Sequence, residues 1–362
     1  MLETERLREI YQGKTVLVTG HTGFKGSWLA HTLGILGARV VGVALPPTTD
    51  RDIFVLTGLK DALTHHEFDI RNAERVTALV SALRPDIVFH LAAQPLVRRS
   101  YEDPLETFST NVMGTVNVLE AVRLCPSVRA AVIITTDKVY ENREWVHGYR
   151  ENDPLGGFDP YSSSKAAADI VTDAYRRSFF NEADYGTKHR TLIATARAGN
   201  VIGGGDWSKD RLVPDIMRAL EGQGSVVLRN PGAVRPWEHV LEPLAGYLML
   251  GARLLSGERE FSGPWNFGPE PEAWLSVGDV TRKMIELLGA GEILLDPQPG
   301  KHEANLLTLD ATKARRLLGW RCRFDIDRTV RETVAWYKTV KEDPSQARAL
   351  TERQIKDYFG LA

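Results

Sequence analysis

Short apolar runs alternate with longer amphipathic stretches through the first half of the chain. The apolar runs are "KTVLVTG", "ARVVGVAL", "HHEFDI", "DIVFHLAA" and "AAVIITT". Helical patterns follow most of them, namely "SWLAHTLGILG", "ERVTALVSALR", "ETFSTNVMGTVNVLEAVRLC" and "SSSKAAADIVTDAYRR". Alternation of strand and helix predicts an α/β fold, a doubly wound parallel sheet with helices on both faces.

The alternation of strands and helices ends after "TLIATARAGNVIGG", and loops rich in Gly, Pro and Trp follow. Separate helical patterns follow, as in "VPDIMRALEGQ", "SVGDVTRKMIELLG" and "DATKARRLLGW". We therefore predict a doubly wound domain over residues 1–196 and a smaller α/β lobe over residues 197–362. Some later segments, around residues 236–270, are expected to return to the first sheet.

Composition excludes several classes of protein. Apolar residues make up 43% and charged residues 25% of 362 residues, as in ordinary globular chains. The formal net charge of −2 gives no overall basic field for a nucleic acid or an anionic membrane surface. We expect neither of these partners.

Cysteine usage and the N-terminus indicate a cytoplasmic protein. Cys125 and Cys322 are far apart and lack a metal-ligand pattern, which argues against a disulfide framework and a zinc site. "KHEAN" at residues 301–305 resembles half of a zinc-protease motif but lacks its second His, so we predict no metal. The segment "MLETERLREIYQGK" is charged and helical, unlike a signal peptide, and no apolar run is long enough to span a bilayer.

A glycine-rich turn stands between the first strand and the first helix of the predicted sheet. It comprises Gly20, His21, Thr22, Gly23, Phe24, Lys25 and Gly26. Glycines at such a junction permit a tight turn and let backbone N–H groups at the helix N-terminus approach a pyrophosphate. The turn predicts dinucleotide binding in a Rossmann domain, and its G-x-x-G-x-x-G spacing is typical of the short-chain dehydrogenases.

The sequence leaves the choice between NAD and NADP open. The second strand ends in Ala44 and Leu45, without the carboxylate that usually binds the adenosine ribose of NAD. Arg51 is too far into the loop to be assigned to a 2′-phosphate. His21 and Lys25 are candidates for phosphate or ribose contacts. The strand ends that follow supply further candidates around the cofactor: Asp69, Ile70, Leu91, Ala92 and Ala93.

Tyr161 and Lys165 form a Y-x-x-x-K pair at the start of a predicted helix. Residues four apart on a helix project from one face, so the ammonium lies near the phenol. A nearby cation favours phenolate and is expected to lower the pKa of the tyrosine, which then accepts a proton from a hydroxyl. Lys165 is also a candidate for binding the nicotinamide ribose.

The motif "TTDKVY" ends the fifth apolar run, and an Asp-Lys pair there can mark a strand that leaves the core for solvent. The other motifs of the chain indicate instead that this pair lies in a catalytic site. With the glycine turn and "YSSSK", the segments "HLAAQ", "ARAGNVIGGGDW", "VRPWEHVLEP" and "LDATKARRLLGW" resemble the extended short-chain dehydrogenase/reductases, within them the nucleotide-sugar 4,6-dehydratases. Members of that family that act on dTDP-glucose typically carry Thr-Asp-Glu where this chain has "TDK", and this difference favours CDP-glucose as substrate.

The resemblance implies a reaction that is redox-neutral overall, with NAD as the bound cofactor. Tyr161 with Lys165 would remove the O4 proton, and Thr136 would position O4. Asp137 would protonate the leaving hydroxyl at C6. Lys138 would remove the C5 proton, which requires its ammonium to be partly neutral at working pH.

The same resemblance implies that Arg235 grips the nucleotide diphosphate and that Asn200 bonds the sugar or diphosphate. It also implies a homodimer or homotetramer, paired through helices such as 106–124 and 161–177, and a place in deoxysugar biosynthesis for lipopolysaccharide O-antigen. The alternative function is a nucleotide-sugar 4-epimerase, or a 4,6-dehydratase for another nucleotide-glucose. An epimerase needs no acid-base pair beside Thr136, so Asp137 and Lys138 argue against it.

Overall fold

The computed structural model describes residues 2–222, 224–296 and 305–361, with the side chains of residues 2 and 3 left out. Its strands are β1 (Thr15–Thr19), β2 (Arg39–Ala44), β3 (Thr64–Glu67), β4 (Ile87–His90), β5 (Ala130–Ile134), β6 (Leu192–Ala198), β7 (Asn200–Ile202), β8 (Ser225–Leu228), β9 (Val234–His239), β10 (Gly263–Phe267), β11 (Trp274–Ser276) and β12 (Glu292–Leu295). Most of them are short and buried.

The α-helices are α1 (Leu2–Tyr11), α2 (Phe24–Ile35), α3 (Ile53–Leu56), α4 (Ala73–Leu83), α5 (Val97–Glu102), α6 (Pro104–Phe108), α7 (Gly114–Leu124), α8 (Pro160–Ser178), α9 (Leu212–Glu221), α10 (Leu241–Leu255), α11 (Val277–Leu288), α12 (Ile326–Glu342) and α13 (Ala347–Phe359). A π-helical turn, Ser109–Met113, joins α6 to α7, and another, Ala314–Leu318, occupies the predicted helix in "DATKARRLLGW".

The main sheet has seven parallel strands in the order β10-β6-β5-β4-β1-β2-β3. The order reverses between β1 and β4, and in open sheets of this type ligands bind at the carboxyl ends beside such a switch point. The predicted fold class, a doubly wound parallel sheet with helices on both faces, is confirmed.

Both faces of the sheet are covered, and successive residues of each strand point to opposite sides. Val16 and Val18 of β1 belong to the core beneath α2 and α10, whereas Leu17 belongs to the core beneath α4 and α7. This explains why the strands read as continuous apolar runs rather than as alternating ones.

The remaining strands form two small sheets outside the main one, of order β11-β9-β7 and β12-β8. Strand β10 pairs with β6, so the segment after β9 supplies the last strand of the main sheet. Helix α9 packs against β8, and α11 packs against β11 and α9. The division of the chain at residues 196 and 197 stays a prediction.

Candidate active site

A cavity of about 1000 Å³ opens at the carboxyl ends of the strands. Its walls come from the turn after β5, the first turn of α8, strands β7 to β9 and the start of α9. The predicted residues that line it are Lys25, Thr136, Asp137, Lys138, Tyr161, Asn200 and Arg235. Sites of this size and mixed polarity bind small molecules and cofactors.

The glycine turn has the geometry of a phosphate cradle. Gly20 has a φ of +78°, which L side chains rarely adopt, and a Cβ there would lie 2.7 Å from the backbone nitrogen of Ala92. A Cβ on Gly26 would overlap the carbonyl of Gly20. Gly23 is the N-cap of α2 and offers no side chain to the first N–H groups, which leaves them for a ligand. These residues fit a dinucleotide.

His21 does not reach the cleft with its side chain. The ring is fully buried against Phe54 and His65, and Gly42 leaves room for it in β2. Its Nε2 lies 2.6 Å from Nδ1 of His65, whose Nε2 lies 2.8 Å from a carboxylate oxygen of Glu67. Burial lowers the pKa of His21 to about 4. Any contact of His21 with a cofactor would therefore use the backbone.

The residues predicted around the cofactor follow the ends of β3 and β4, at the carboxyl edge of the main sheet. Asp69 accepts hydrogen bonds from the backbone N and from Nε of Arg71, each at 2.8 Å. Ile70 is buried beneath Gly114, where a Cβ would lie 2.5 Å from its Cδ1. The backbone N–H groups of Leu91 and Ala92 donate to Oγ1 of Thr19. Ala93 follows at the same edge and is half-buried.

The second strand offers no acid to the ribose. Ala44 is buried and Leu45 is exposed, as expected from the sequence. Arg51 is paired with both carboxylate oxygens of Glu221 and lies 3.5 Å above the Trp207 ring. Arg51 is therefore held by Glu221 and Trp207.

The segment after β5 is a turn rather than an exit to solvent. The Thr136 side chain caps the short 3₁₀ helix Asp137–Val139, and its Oγ1 donates to Oδ1 of Asp137 at 2.9 Å. Asp137 is 1% exposed. Burial raises its pKa, against the lowering by Lys138 and Arg235. A raised pKa suits a carboxyl that must carry a proton to a leaving group.

Tyr161 and Lys165 lie on one face of α8, Tyr161 in the cavity wall and Lys165 buried behind it. Burial raises the pKa of Tyr161 to about 12, although a hydrogen bond with Thr136 and the charge of Arg211 lower it in part. This differs from the expected lowering by Lys165. The Lys165 ammonium donates to the carbonyl of Ile134 at 2.7 Å, and burial lowers its own pKa to about 8.

A buried ion pair helps to hold α8 against the end of β5, where the first of the candidate catalytic residues follow. Asp169, one turn after Lys165, accepts from Nε and Nη2 of Arg197, each at 2.8 Å. The same carboxylate accepts from Oγ1 of Thr135 at 3.1 Å. Because Thr135 precedes Thr136 and Asp169 follows the Tyr-Lys pair, this network sets the spacing between the two groups of candidate catalytic residues.

The far wall of the cavity carries cations and amides. Arg235 is buried on β9, with Nη1 donating to the carbonyl of Val234 at 2.8 Å, and Asn200 begins β7. Lys25, from the glycine turn, also lines the cavity. Sequence reasoning missed Arg211, which lines the same wall and pairs with Asp206 at 3.1 Å. Its only sequence signal is a cation just before α9.

Comparison with known proteins identifies the family. The model of the family described as GDP-mannose 4,6 dehydratase matches residues 17–253. The chain belongs to this family. Among its relatives, a CDP-glucose 4,6-dehydratase of Salmonella typhimurium is 49% identical over 353 residues, which are 97% of this chain and 98% of the relative. A dTDP-glucose 4,6-dehydratase of Streptomyces antibioticus is 30% identical over 332 residues, 89% and 92% of the two chains.

Solved structures agree with the fold of this dehydratase-family chain. DesIV of Streptomyces venezuelae, a dTDP-glucose 4,6-dehydratase with NAD and TYD bound, superposes with a TM-score of 0.76 at 25% identity, covering 91% of this chain and 98% of its own. The epimerase Mth375 of Methanothermobacter thermautotrophicus reaches 0.80 at 22% identity, covering 96% and 98%, which shows the shared fold alone.

The sequence predicts neither a membrane-spanning segment nor a metal site, and the structure bears on both for the part of the chain that it describes. None of its helices combines the length and apolarity needed to cross a membrane. Its His, Cys, Asp and Glu side chains form no group of three or more that could hold a metal ion. Residues 301–304 of "KHEAN" lie outside the described residues.

Proposed function

We propose that this enzyme removes water from CDP-D-glucose to give CDP-4-dehydro-6-deoxy-D-glucose, with NAD as its bound cofactor. The observation that carries the proposal is the meeting of Thr136, Asp137, Lys138 and Tyr161 at one wall of a single cavity. The 49% identity to the Salmonella CDP-glucose 4,6-dehydratase supports the choice of substrate. The phosphate cradle from Gly20 to Gly26, and the NAD bound by the related DesIV, support the choice of cofactor.

The dehydration divides its proton transfers among these four side chains. Tyr161 accepts the O4 proton while Thr136, which hydrogen-bonds Tyr161, holds O4 in place. Bound NAD would supply the acceptor for the C4 hydride and the source of the hydride added at C6. Once C4 is a ketone the C5 hydrogen is acidic, and Lys138 removes it while Asp137 protonates the leaving hydroxyl. An epimerase would need only the first of these transfers.

The remaining predicted contacts divide between cofactor and substrate. We propose that Lys165 binds the nicotinamide ribose. Arg235 suits the diphosphate, because a guanidinium presents two parallel donors to phosphate oxygens. Asn200 stands beside Arg235 in the same wall and is proposed to bond the sugar or diphosphate.

The test is a substrate panel. Purified enzyme with NAD is incubated with CDP-, dTDP-, GDP- and UDP-glucose, and products are analysed by mass spectrometry. We expect CDP-glucose to lose the mass of one water without stoichiometric consumption of NAD. Turnover of dTDP-glucose with CDP-glucose inert would reject the proposed base, and an isomer of unchanged mass would establish an epimerase.

We also propose a homodimer or homotetramer that buries the outer faces of α6 to α8. Leu105 and Met113 are 82% and 53% exposed, and Ile170 of α8 is 55% exposed. Large apolar side chains grouped in this way commonly mark an interface. Met113→Glu combined with Ile170→Glu should shift the mass measured by light scattering to that of a monomer. An unchanged mass would place the interface elsewhere. A cytoplasmic location stays a prediction.

A further inference from the structure

The glycine turn packs directly against the end of β2. The backbone N–H of Gly20 donates to the carbonyl of Val43 at 2.8 Å, and Oγ1 of Thr22 donates to the carbonyl of Leu45 at 2.9 Å. Dinucleotide-binding domains usually carry a carboxylate at this strand end, about 20 residues after the turn, and it accepts from the ribose hydroxyls of NAD. Ala44 occupies that position in this chain and is buried. Strand β2 itself therefore supplies no carboxylate to the ribose.

The neighbouring strand places a carboxylate directly beside Ala44. Strands β2 and β3 are parallel, and their register pairs Ala44 with Glu67. The pairing continues beyond this point, because the backbone N–H of Phe68 donates to the carbonyl of Ala44 at 3.1 Å. Neighbouring strands lie about 4.8 Å apart, a distance that a glutamate side chain can span. Glu67 therefore stands next to the position where the usual carboxylate is absent.

Glu67 points to the side of the sheet that carries the glycine turn. Gly42 faces that side, since a Cβ on it would overlap the ring of His21. Side chains alternate along a strand, so Ala44 faces the same way as Gly42. Their register partners on β3 are His65 and Glu67, which share this face. The Glu67 carboxylate therefore lies on the face from which a carboxylate on β2 would reach the ribose.

A hydrogen bond from His65 holds Glu67 in position. Nε2 of His65 lies 2.8 Å from Oε1 of Glu67 and donates to it, because a carboxylate only accepts. This hydrogen bond lowers the pKa of Glu67. Nδ1 of His65 lies 2.6 Å from Nε2 of His21 in the glycine turn. The Glu67 side chain is 45% exposed, and a carboxylate accepts up to about four hydrogen bonds, so it can bind a ligand while His65 orients it.

We propose that Glu67 selects NAD over NADP: its carboxylate accepts hydrogen bonds from the adenosine ribose hydroxyls, in place of the absent carboxylate on β2. A 2′-phosphate at the same place would be repelled by this negative charge. Arg51, the first cation after β2, is already neutralised by Glu221. His65 is a positioning residue for Glu67. The inference rests on NAD as the proposed cofactor, but not on the identity of the sugar nucleotide.

The test is direct binding of NAD and of NADP to the full chain, freed of copurified nucleotide, by isothermal titration calorimetry without sugar nucleotide. Wild type should bind NAD more tightly than NADP. Glu67→Ala removes hydrogen bonds to a charged acceptor, so NAD should bind about tenfold more weakly. The same variant loses the repulsion and should bind NADP more tightly, so the preference for NAD should fall by more than about tenfold.

Two further changes separate charge from shape. Glu67→Gln keeps the size of the side chain and removes its charge, so it should tighten NADP binding and weaken NAD binding less than Glu67→Ala does. Adding Ala44→Asp to Glu67→Gln returns a carboxylate to the usual strand and should restore the preference for NAD. Raised salt screens an exposed charge, so it should narrow the wild-type preference and leave that of Glu67→Gln almost unchanged.

His65→Phe tests the positioning role. The variant keeps a ring against His21 and Phe54 but loses the donor to Glu67. We expect the preference for NAD to fall as in Glu67→Gln, by a smaller factor, and to fall no further when the two changes are combined. A purely structural role of His65 would instead weaken the binding of both cofactors equally.

Glu258→Gln is the matched control. Glu258 is another ion-paired, partly exposed carboxylate, bound to Arg253 at 2.9 Å, and it precedes β10 at the opposite edge of the main sheet. Its variant should leave both affinities unchanged. Unchanged affinities in Glu67→Ala, equal weakening of NAD and NADP binding, or a wild type that prefers NADP would overturn the proposal. Wild-type enzyme that binds neither nucleotide would reject the proposed cofactor itself.

Discussion

Tyr161→Phe tests whether the phenol is the base for O4. Burial raises the pKa of Tyr161 to about 12, so the phenol is mostly protonated near neutral pH. Phenolate therefore forms to a useful extent only when a further cation in the complex, such as the oxidised nicotinamide, lowers this pKa. The variant keeps the ring but lacks the proton acceptor, and should slow C4 oxidation by about 10²–10⁴-fold with little change in substrate affinity.

The measurement is the rate of the single-turnover rise in reduced nicotinamide, with wild type and variant compared across pH. The wild-type rate should increase with pH as Tyr161 loses its proton, and the variant should lose that dependence. Tyr175→Phe is the matched control, because Tyr175 lies on the same helix and its hydroxyl bonds Glu120 at the far end. A near-normal rise in Tyr161→Phe would mean that another group deprotonates O4.

Two further substitutions examine elimination and stability. Lys138→Ala should oxidise C4 and then stall, so that reduced nicotinamide accumulates without water loss or solvent deuterium at C5; normal elimination would place the base elsewhere. Asp169→Asn leaves the buried Arg197 without its counter-charge and should lower the free energy of unfolding by about 3–5 kcal/mol in urea titrations. Asp173→Asn, which breaks exposed pairs on the same helix, should cost about 1 kcal/mol or less. Equal losses would contradict the reasoning.

The fold was predictable because its signals are local. Apart from β3 (Thr64–Glu67), the strands of the main sheet from β1 to β6 are short apolar runs, and the helices between them carry amphipathic patterns. The candidate catalytic residues were predictable for the same reason, because Thr136 follows a strand and Tyr161 lies at the start of a helix. Residues at the carboxyl edge of a parallel sheet lie close together even when long loops separate them in the sequence.

The rest of the site depends on contacts that no local pattern contains. Glu67 lies beside Ala44 only because β3 pairs with β2 in this register. The direction of the Tyr161 pKa was missed because burial outweighs the cation four residues away. His21 likewise turned inward because Gly42 on the next strand leaves space for its ring.

Proton balance links the two halves of the proposed reaction. Each turnover leaves one proton on Tyr161, taken from O4, and removes one from Asp137, given to the leaving water, while Lys138 can return to C5 the proton that it took. The cycle closes when the proton of Tyr161 reaches Asp137. The Thr136 hydroxyl donates to Asp137 at 2.9 Å and lines the same cavity as Tyr161, so it lies on a short path between the two groups. Burial of Asp137, which raises its pKa, then lets it retain the proton until the next C6 hydroxyl needs it.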